Sequence, residues 1–194
     1  MGSQKDSLLT QSFSDQRAWA DWLEANHASS RGLWLQLAKK ATGIDSVSYD
    51  EAVESALCYG WIDGQKKALD DAWWLQKFTP RRPKSIWSQK NRQKAEELIA
   101  DGVMAPAGLS AVEAARADGR WDRAYAAQSV STVPADLQAA LDANPDAAAF
   151  FATLDSRNRY AILFRTQTAK KRETRARRIE QFVAMLARHE KLYP

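Results

Sequence analysis

The spacing of apolar residues predicts helices and strands in alternation up to about residue 80. Residues 13–24 carry apolar side chains at helical spacing behind Ser14, a residue type that caps helix N-termini, and this predicts a short helix with two tryptophans facing inward. Residues 32–40, GLWLQLAKK, place leucine at every second position, which predicts a strand. Residues 61–79 contain two strand-like segments that flank an Asp-Asp pair, which predicts a β-hairpin.

A helix with strong terminal signals lies between the strand and the hairpin. Ser48 precedes an apolar stripe, and Glu51 lies three residues after Ser48, which is the spacing of a capping box. Gly60 closes the segment, as glycine commonly does after a helix. Together with the strand and the hairpin, this helix predicts a small antiparallel sheet of about three strands within residues 30–80, packed by helices.

The second half of the chain carries helical patterns without a convincing strand. Most of its helices are expected to begin at serine or proline, residue types that are favoured at the start of a helix. The predicted starts are Ser85 or Ser88, Pro106, a position near Pro134, Pro145, Ser156 and a position near Lys171. The fold class is therefore α+β, with a mixed domain over residues 13–128 and a helical domain over residues 129–190 that packs with the first as one unit.

Composition narrows the kinds of chemistry to consider. Cys58 is the only cysteine and lies on the apolar stripe of its helix, where a small buried side chain is expected. His27 and His189 stand in no metal-binding spacing, so we expect no metal and no other cofactor. No apolar run is long enough to span a membrane, and the first residues lack a signal-peptide pattern. These features predict a cytoplasmic protein.

The positive charge is concentrated in two segments. Residues 81–94 contain six bases and no acid, and residues 165–178 contain seven bases and one acid, so each segment carries +6. Because the whole chain carries +4, the remaining residues sum to −8. This polarity predicts an anionic ligand or an acidic partner, although the basic segments can also pair with the acidic remainder of the same chain.

The first basic segment contains the best candidate site. In TPRRPKSIWSQKN, two arginines and a lysine precede a predicted helix N-terminus, whose free N–H groups attract anions. Asp63, in the preceding hairpin, is interpreted either as an acid–base or ligand-orienting group, or as a structural residue whose ion pair with these bases or turn-capping bond anchors the hairpin. The candidate ligand-binding residues are Trp61, Asp63, Arg81, Arg82, Lys84, Ser85, Trp87, Ser88 and Asn91. Phosphate-loop and nucleophile-elbow motifs are absent, and no catalytic residue is predicted.

The second basic segment, TAKKRETRARRIEQF, predicts an amphipathic helix with a cationic first half. Its bases lie at the end of the helix where the dipole disfavours them, so an anionic partner or the protein's own acidic surface is expected to neutralise them. The candidate partner contacts are Lys170, Lys171, Arg172, Arg175, Arg177 and Arg178.

Several motifs resemble those of one bacterial family. EAVESALCYGWIDGQ, FTPRRPKSIWSQKN and the C-terminal segment from VPADLQ to TAKKRETRARRIEQF resemble the YdeI/OmpD-associated family, also called bacteriocin-protection proteins. The resemblance covers roughly residues 19–188. It implies a compact bacterial protein linked with protection against bacteriocins or cationic antimicrobial peptides and with an outer-membrane porin. It brings no catalytic residues with it.

Three functions follow as hypotheses. The first is a non-enzymatic stress or bacteriocin-protection protein with an anion-binding Trp/Arg surface. The second is a nucleic-acid-binding protein that uses the two cationic segments, a partner that the sequence allows but does not favour. The third is an enzyme acting on a phosphorylated or carboxylated small molecule. The sequence predicts no particular oligomeric state.

Overall fold

A computed structural model of the chain describes residues 8–127 and 131–194. The chain divides into two compact units, of which unit 1 contains the residues up to 87 together with 91–122, and unit 2 contains residues 88–90 together with 123–194. The predicted boundary between the domains, at residues 128 and 129, falls outside the described residues.

Unit 1 contains a four-stranded sheet. The strands are β1 (Leu9–Ser12), β2 (Leu33–Ala38), β3 (Trp61–Ala68) and β4 (Trp73–Pro80), in the spatial order β1-β2-β4-β3. The pairs β2–β4 and β3–β4 are antiparallel, as predicted, but β1 adds a strand parallel to β2 that the sequence did not predict. The α+β fold class is confirmed, and the sheet is one strand larger than expected.

The helices of unit 1 begin and end close to the predicted positions. They are α1 (Gln16–Asn26), α2 (Tyr49–Cys58), α3 (Gln89–Ala100), whose first two residues belong to unit 2, and α4 (Pro106–Ala117). The cap of α1 is Asp15 rather than Ser14, because the Asp15 carboxylate accepts from the Ala18 N–H at 2.8 Å. The capping box between Ser48 and Glu51 at the start of α2 is confirmed.

The core of unit 1 lies on one face of the sheet. The leucines of β2 at positions 33, 35 and 37 pack with Phe78 of β4 and with Trp19 and Leu23 of α1. The alternate residues of β2 and β4 face the other way, because side chains along a strand alternate between its two sides. Trp34, Gln36, Leu75 and Lys77 therefore share the face opposite the core.

Helix α4 lies unusually close to the C-terminal end of α2. A Cβ atom added at Gly108 would lie 2.3 Å from the carbonyl oxygen of Cys58, and one at Gly60 would lie 2.8 Å from that of Ala107. Gly60 also has a positive φ of 72°, which favours glycine. The N–H of Ala105 donates to the Cys58 carbonyl at 3.1 Å, which joins the two backbones just before α4 begins.

Unit 2 is helical over its described residues. It contains α5 (Ala135–Asp142), α6 (Pro145–Thr153), α7 (Ser156–Gln167) and α8 (Arg172–Ala187), in agreement with the predicted starts. Its core comes from one stripe of each helix, and includes Leu137, Leu141, Phe151, Ile162, Phe182 and Leu186.

The C-terminal tail is held against α7 by Asn158, whose side chain is only 1% exposed. Its amide oxygen accepts from the backbone N–H of Tyr193 at 2.9 Å, and its amide nitrogen donates to the Tyr193 carbonyl at 3.2 Å. The Tyr193 ring lies beneath the guanidinium groups of Arg157 and Arg165, at 4.3 and 5.9 Å from its centroid.

None of the helices in the described part of the chain combines the length and the apolar character that crossing a bilayer requires. Across the same residues, no three histidine, cysteine or acidic side chains come together in a group that could hold a metal ion.

Candidate anion-binding cleft

The two tryptophans of the predicted site are part of the interior. Trp61 and Trp87 are each 1% exposed. The Trp61 indole N–H donates to the carbonyl oxygen of His27 at 3.2 Å, and the Trp87 ring meets Trp121 edge-on with centroids 4.9 Å apart. Both rings fill the hydrophobic interior of unit 1, so neither is the exposed ligand-binding surface that the sequence suggested, although Trp61 also contributes to the lining of a cleft.

Asp63 does not pair with the bases of the loop that follows β4. The Tyr49 hydroxyl of α2 donates to Oδ2 of Asp63 at 2.8 Å. In the sheet Asp63 is paired with Phe78, which places it on the face covered by the helices. The carboxylate therefore joins α2 to β3, and the predicted ion pair with Arg81, Arg82 or Lys84 is wrong.

The two serines also have structural roles that the sequence did not predict. Ser85 closes a turn, because its hydroxyl oxygen accepts from the Arg82 backbone N–H at 3.0 Å. Ser88 forms a bridge with Tyr125, and the first N–H of α3, from Gln89, donates to the Tyr125 carbonyl at 2.9 Å. This first N–H of α3 is thus occupied within the protein rather than open to an anion.

Two of the predicted bases line a cleft of about 450 Å³ in unit 1. Arg81 and Arg82, in the segment that follows β4, are lining residues, whereas Lys84, Ser85, Ser88 and Asn91 lie outside the lining. The other lining residues are His27, Ala28, Tyr59, Gly60, Trp61, Pro80, Pro83, Ala107, Ser110, Ala111, Ala114 and Arg120. No lining residue is acidic, so the cleft presents a positive wall to whatever enters it.

Arg120 also lines the cleft, although its position in the sequence did not indicate a binding residue. Its side chain is 7% exposed, and its Nε donates to both carboxylate oxygens of Asp118, at 2.8 and 2.6 Å. Its Nη1 donates to the Ser85 carbonyl at 2.7 Å. These bonds fix the guanidinium plane, and Nη2 makes no hydrogen bond within the described residues. The only sequence signal was an arginine between glycine and tryptophan in a short turn.

Arg81 is held flat against an aromatic surface. Its guanidinium carbon lies 3.5 Å from the centroid of the Trp87 ring, which is the contact distance of a stacked cation–π pair. Its Nη1 donates to the Ile86 carbonyl at 3.4 Å. This stacking on Trp87 orients the Arg81 guanidinium.

Two other lining residues of the cleft, His27 and Tyr59, are aromatic and weakly polar. The rings of His27 and Tyr59 lie 5.2 Å apart, and Nδ1 of His27 donates to the Leu23 carbonyl at 2.9 Å. Burial, together with the nearby charge of Glu24, raises the pKa of the Tyr59 phenol. The Tyr59 hydroxyl therefore remains protonated at neutral pH and can donate a hydrogen bond.

A second cleft of about 590 Å³ on unit 1 is lined partly by acids that have structural partners. Asp15 caps α1, Glu51 completes the capping box of α2, and Glu54 pairs with Lys94 at 2.8 Å. Burial, with a smaller contribution from Glu54, raises the pKa of the Cys58 thiol to about 11. Cys58 is therefore a thiol rather than a thiolate at neutral pH.

We expect Cys58 of the native protein to react with a disulfide reagent such as DTNB about 100-fold more slowly at pH 8 than the same cysteine in the urea-unfolded chain, because thiolate is the reactive form. The measurement is the absorbance time course with and without denaturant. Equal rates in the two conditions would contradict the burial of this thiol.

The basic helix divides into paired and exposed side chains. Arg175 donates from Nε and Nη2 to the two carboxylate oxygens of Asp136 in α5, at 2.5 and 2.8 Å, and Arg178 donates to the Arg165 carbonyl in α7. Lys170, Lys171, Arg172 and Arg177 are exposed. Part of the predicted cationic surface therefore holds unit 2 together, which weakens the nucleic-acid hypothesis for these segments.

Two segments of the chain each match a known protein family. Residues 11–111, more than half of the chain, match the domain of unknown function DUF8412. Residues 130–189 match the family described as bacteriocin-protection, YdeI or OmpD-associated. No curated protein and no solved structure matches the chain. We refer to the cleft lined by Arg81, Arg82 and Arg120 as the arginine cleft. Most of its lining residues lie within the first matched segment, and Arg120 lies beyond the end of that segment.

Proposed function

The chain belongs to the DUF8412 family, and we propose that it is a bacteriocin-protection-type protein that acts by binding a small organic anion. Its helical segment belongs to the bacteriocin-protection, YdeI or OmpD-associated family, which supports the protective role. The observation that carries the proposal is the convergence of Arg81, Arg82 and Arg120 on one cleft of unit 1.

The arginines suit an anion for electrostatic and geometric reasons. A guanidinium group stays protonated at every physiological pH and presents donors in a plane that matches a carboxylate or a phosphate. Arg120 is already oriented by Asp118 and Ser85, so a ligand that accepts from its Nη2 immobilises little further side-chain freedom. Arg82 is exposed and adds a positive charge to that of Arg81, whereas the charge of Arg120 is already balanced by Asp118.

The remaining lining residues define the rest of the ligand. Ala28, Ala107 and Ala111 offer apolar surface, and Tyr59 offers a ring and a hydroxyl. A volume of about 450 Å³ is in the range of pockets that hold metabolite-sized molecules. The ligand proposed here carries a carboxylate or phosphate group on an apolar or aromatic body.

The charge of the cleft also bears on how protection would work. A cationic antimicrobial peptide is repelled by the charges of Arg81 and Arg82, since no lining residue is acidic and Asp118 balances only Arg120. The protein would therefore act through an anionic molecule, for example by retaining or delivering it, rather than by capturing a cationic peptide in this cleft.

A thermal-shift screen of carboxylate- and phosphate-bearing compounds tests the proposal, because a native-state ligand raises the melting temperature. Hits are then titrated by calorimetry against wild type, Arg82→Ala and the matched control Lys84→Ala. Lys84 is an exposed base two residues from Arg82, but it lies outside the cleft. We expect Arg82→Ala to weaken binding about tenfold, the loss of one charge-assisted hydrogen bond.

Lys84→Ala is expected to bind within about twofold of wild type, because its charge is solvent-exposed and screened. Neither substituted side chain has a hydrogen-bond partner among the described residues, so both variants should keep the wild-type melting temperature. A screen without hits, or equal losses in both variants, would refute an anion site in this cleft.

A further inference from the structure

The sheet face opposite the core of unit 1 carries a second set of aromatic and basic side chains that the arginine cleft does not use. Trp34 lies opposite Lys77 in the β2–β4 pair, Gln36 lies opposite Leu75, and Ala38 lies opposite Trp73. Lys67 of β3 lies opposite Leu75 on the same face. We refer to Trp34, Gln36, Lys67, Trp73, Leu75 and Lys77 as the open sheet face.

The helices that form the core of unit 1 pack on the other face of the sheet. The core cluster contains the leucines of β2 and Phe78, all from the other side of the sheet, together with residues of α1 and α2. Trp34, Trp73 and Leu75 are half-buried, and Lys67 is exposed. A sheet normally packs one face and leaves the other to solvent, but solvent-facing positions are usually polar rather than tryptophan.

The Trp34 ring already attracts cations. The ammonium of Lys67 lies 4.2 Å from its centroid, and that of Lys77 lies 5.8 Å away. No strand position paired on this face is aspartate or glutamate, so the face is positive as well as aromatic. Because a lysine side chain is flexible, the ammonium over Trp34 can swing to a phosphate and leave the ring to a planar group.

We propose that the open sheet face binds single-stranded nucleic acid, with a base stacked on Trp34 and phosphates on Lys67 and Lys77. Antiparallel sheets that bind single strands do so by stacking unpaired bases on aromatic side chains, with basic residues along the backbone path. Trp73 lies four residues along the sheet from Trp34, about 13 Å at the rise of a strand, and offers a second stacking surface. Gln36, between them, supplies an amide for a base edge.

A second copy of the chain fits this face less well. A two-fold symmetric contact would set the face against itself and bring the lysines of one copy towards those of the other. A dry contact with an uncharged protein would bury Lys77, which stands beside Trp34 in the middle of the face, without a partner for its charge. The charge favours a polyanion that has planar groups of its own. This inference is independent of the ligand proposed for the arginine cleft.

Fluorescence anisotropy with labelled oligo(dT) and oligo(U) of twenty nucleotides, and with a duplex of the same length, tests the proposal. We expect micromolar binding of the single strands at 50 mM salt and binding of the duplex at least about tenfold weaker, because its bases are already stacked. Trp34→Ala should weaken single-strand binding about tenfold or more, and Trp34→Phe should recover part of the loss.

Lys67→Glu has a matched control in Lys40→Glu, an exposed lysine in the short 3-10 turn after β2 that lies outside the open sheet face. Lys67→Glu should weaken binding at least about fivefold and reduce its salt dependence, whereas Lys40→Glu should bind within about twofold of wild type. Circular dichroism verifies that each variant is folded.

Four results would each overturn the proposal: no single-strand binding at low salt, equal affinity for the duplex, Trp34→Ala binding like wild type, or equal losses in the two lysine variants. If Trp34→Ala and wild type bind with equal affinity, the nucleic acid contacts other basic side chains instead, such as the exposed lysines before α8. A wild-type dimer that Trp34→Ala dissociates would assign the face to self-association instead.

Discussion

Gly108→Ala will destabilise unit 1 by about 2–3 kcal/mol, although helix propensity alone predicts a gain of about 1 kcal/mol from the same change. The added Cβ would lie 2.3 Å from the carbonyl oxygen of Cys58 and 2.8 Å from that of Leu57. Both are backbone atoms at the end of α2, so the contact is relieved only by moving one helix away from the other. Helix propensity and the backbone clash change the stability in opposite directions. The sign of the measured change therefore shows which of the two dominates.

Urea unfolding followed by tryptophan fluorescence measures this effect. All eight tryptophans lie in unit 1, so their emission reports its unfolding rather than that of unit 2. The control is Gly64→Ala in β3, where the nearest atom to the added Cβ lies 3.7 Å away and the expected change is within about 0.5 kcal/mol. A Gly108→Ala protein as stable as wild type would contradict the close approach of α4 to α2.

Trp19→Ala will have the larger effect. It will lower the free energy of unfolding by about 3–5 kcal/mol, because it removes one of the largest fully buried side chains from the core. Trp19 is 0% exposed, and its indole N–H donates to the Ala52 carbonyl of α2 at 3.1 Å. Its ring lies 5.2 Å from that of Phe13, 5.4 Å from that of Trp22 and 5.6 Å from that of Phe78.

Trp19→Phe separates the two contributions of this side chain. It keeps an aromatic ring in the core but leaves the Ala52 carbonyl without its donor, so the expected loss is about 1–3 kcal/mol. The same urea experiment applies to both variants. If Trp19→Ala and Trp19→Phe cost the same, the ring contacts contribute little, and the packing described for the core of unit 1 is wrong.

Helix positions were largely predictable because their terminal signals are local. Ser48 and Glu51 form the expected capping box, and α6 and α7 begin at the predicted Pro145 and Ser156. The cap of α1, which is Asp15 rather than Ser14, was not predictable in the same way. Both residue types cap helices, and only the backbone geometry determines which carboxylate or hydroxyl reaches the third N–H.

Strand β1 was not predictable from its own residues. LTQS has one apolar residue and no alternation, and its partner β2 lies more than twenty positions further along the chain. A parallel pair of this kind is stabilised by backbone hydrogen bonds to a strand that already exists, so it leaves little trace in the local pattern.

The candidate site was predicted in part, for a related reason. Arg81 and Arg82 stood out as a local basic run, but His27, Tyr59 and Arg120 reach the same cleft from three other parts of the chain. Trp61 and Trp87 looked like ligand surfaces because the sequence does not reveal which tryptophans are buried. Spacing identifies residues that share an element, whereas a cleft is formed by residues that share a position in space.

The Asn158 side chain binds main-chain groups of the C-terminal tail, so this contact does not depend on the side chain of the tail residue. Both of its bonds go to the N–H and C=O of the Tyr193 main chain, which every residue except proline provides in full. Position 193 can therefore change its side chain without losing this attachment, whereas position 158 needs a side chain that both donates and accepts. Over evolutionary time the buried asparagine should be the constrained member of the pair and the aromatic tail residue the variable one.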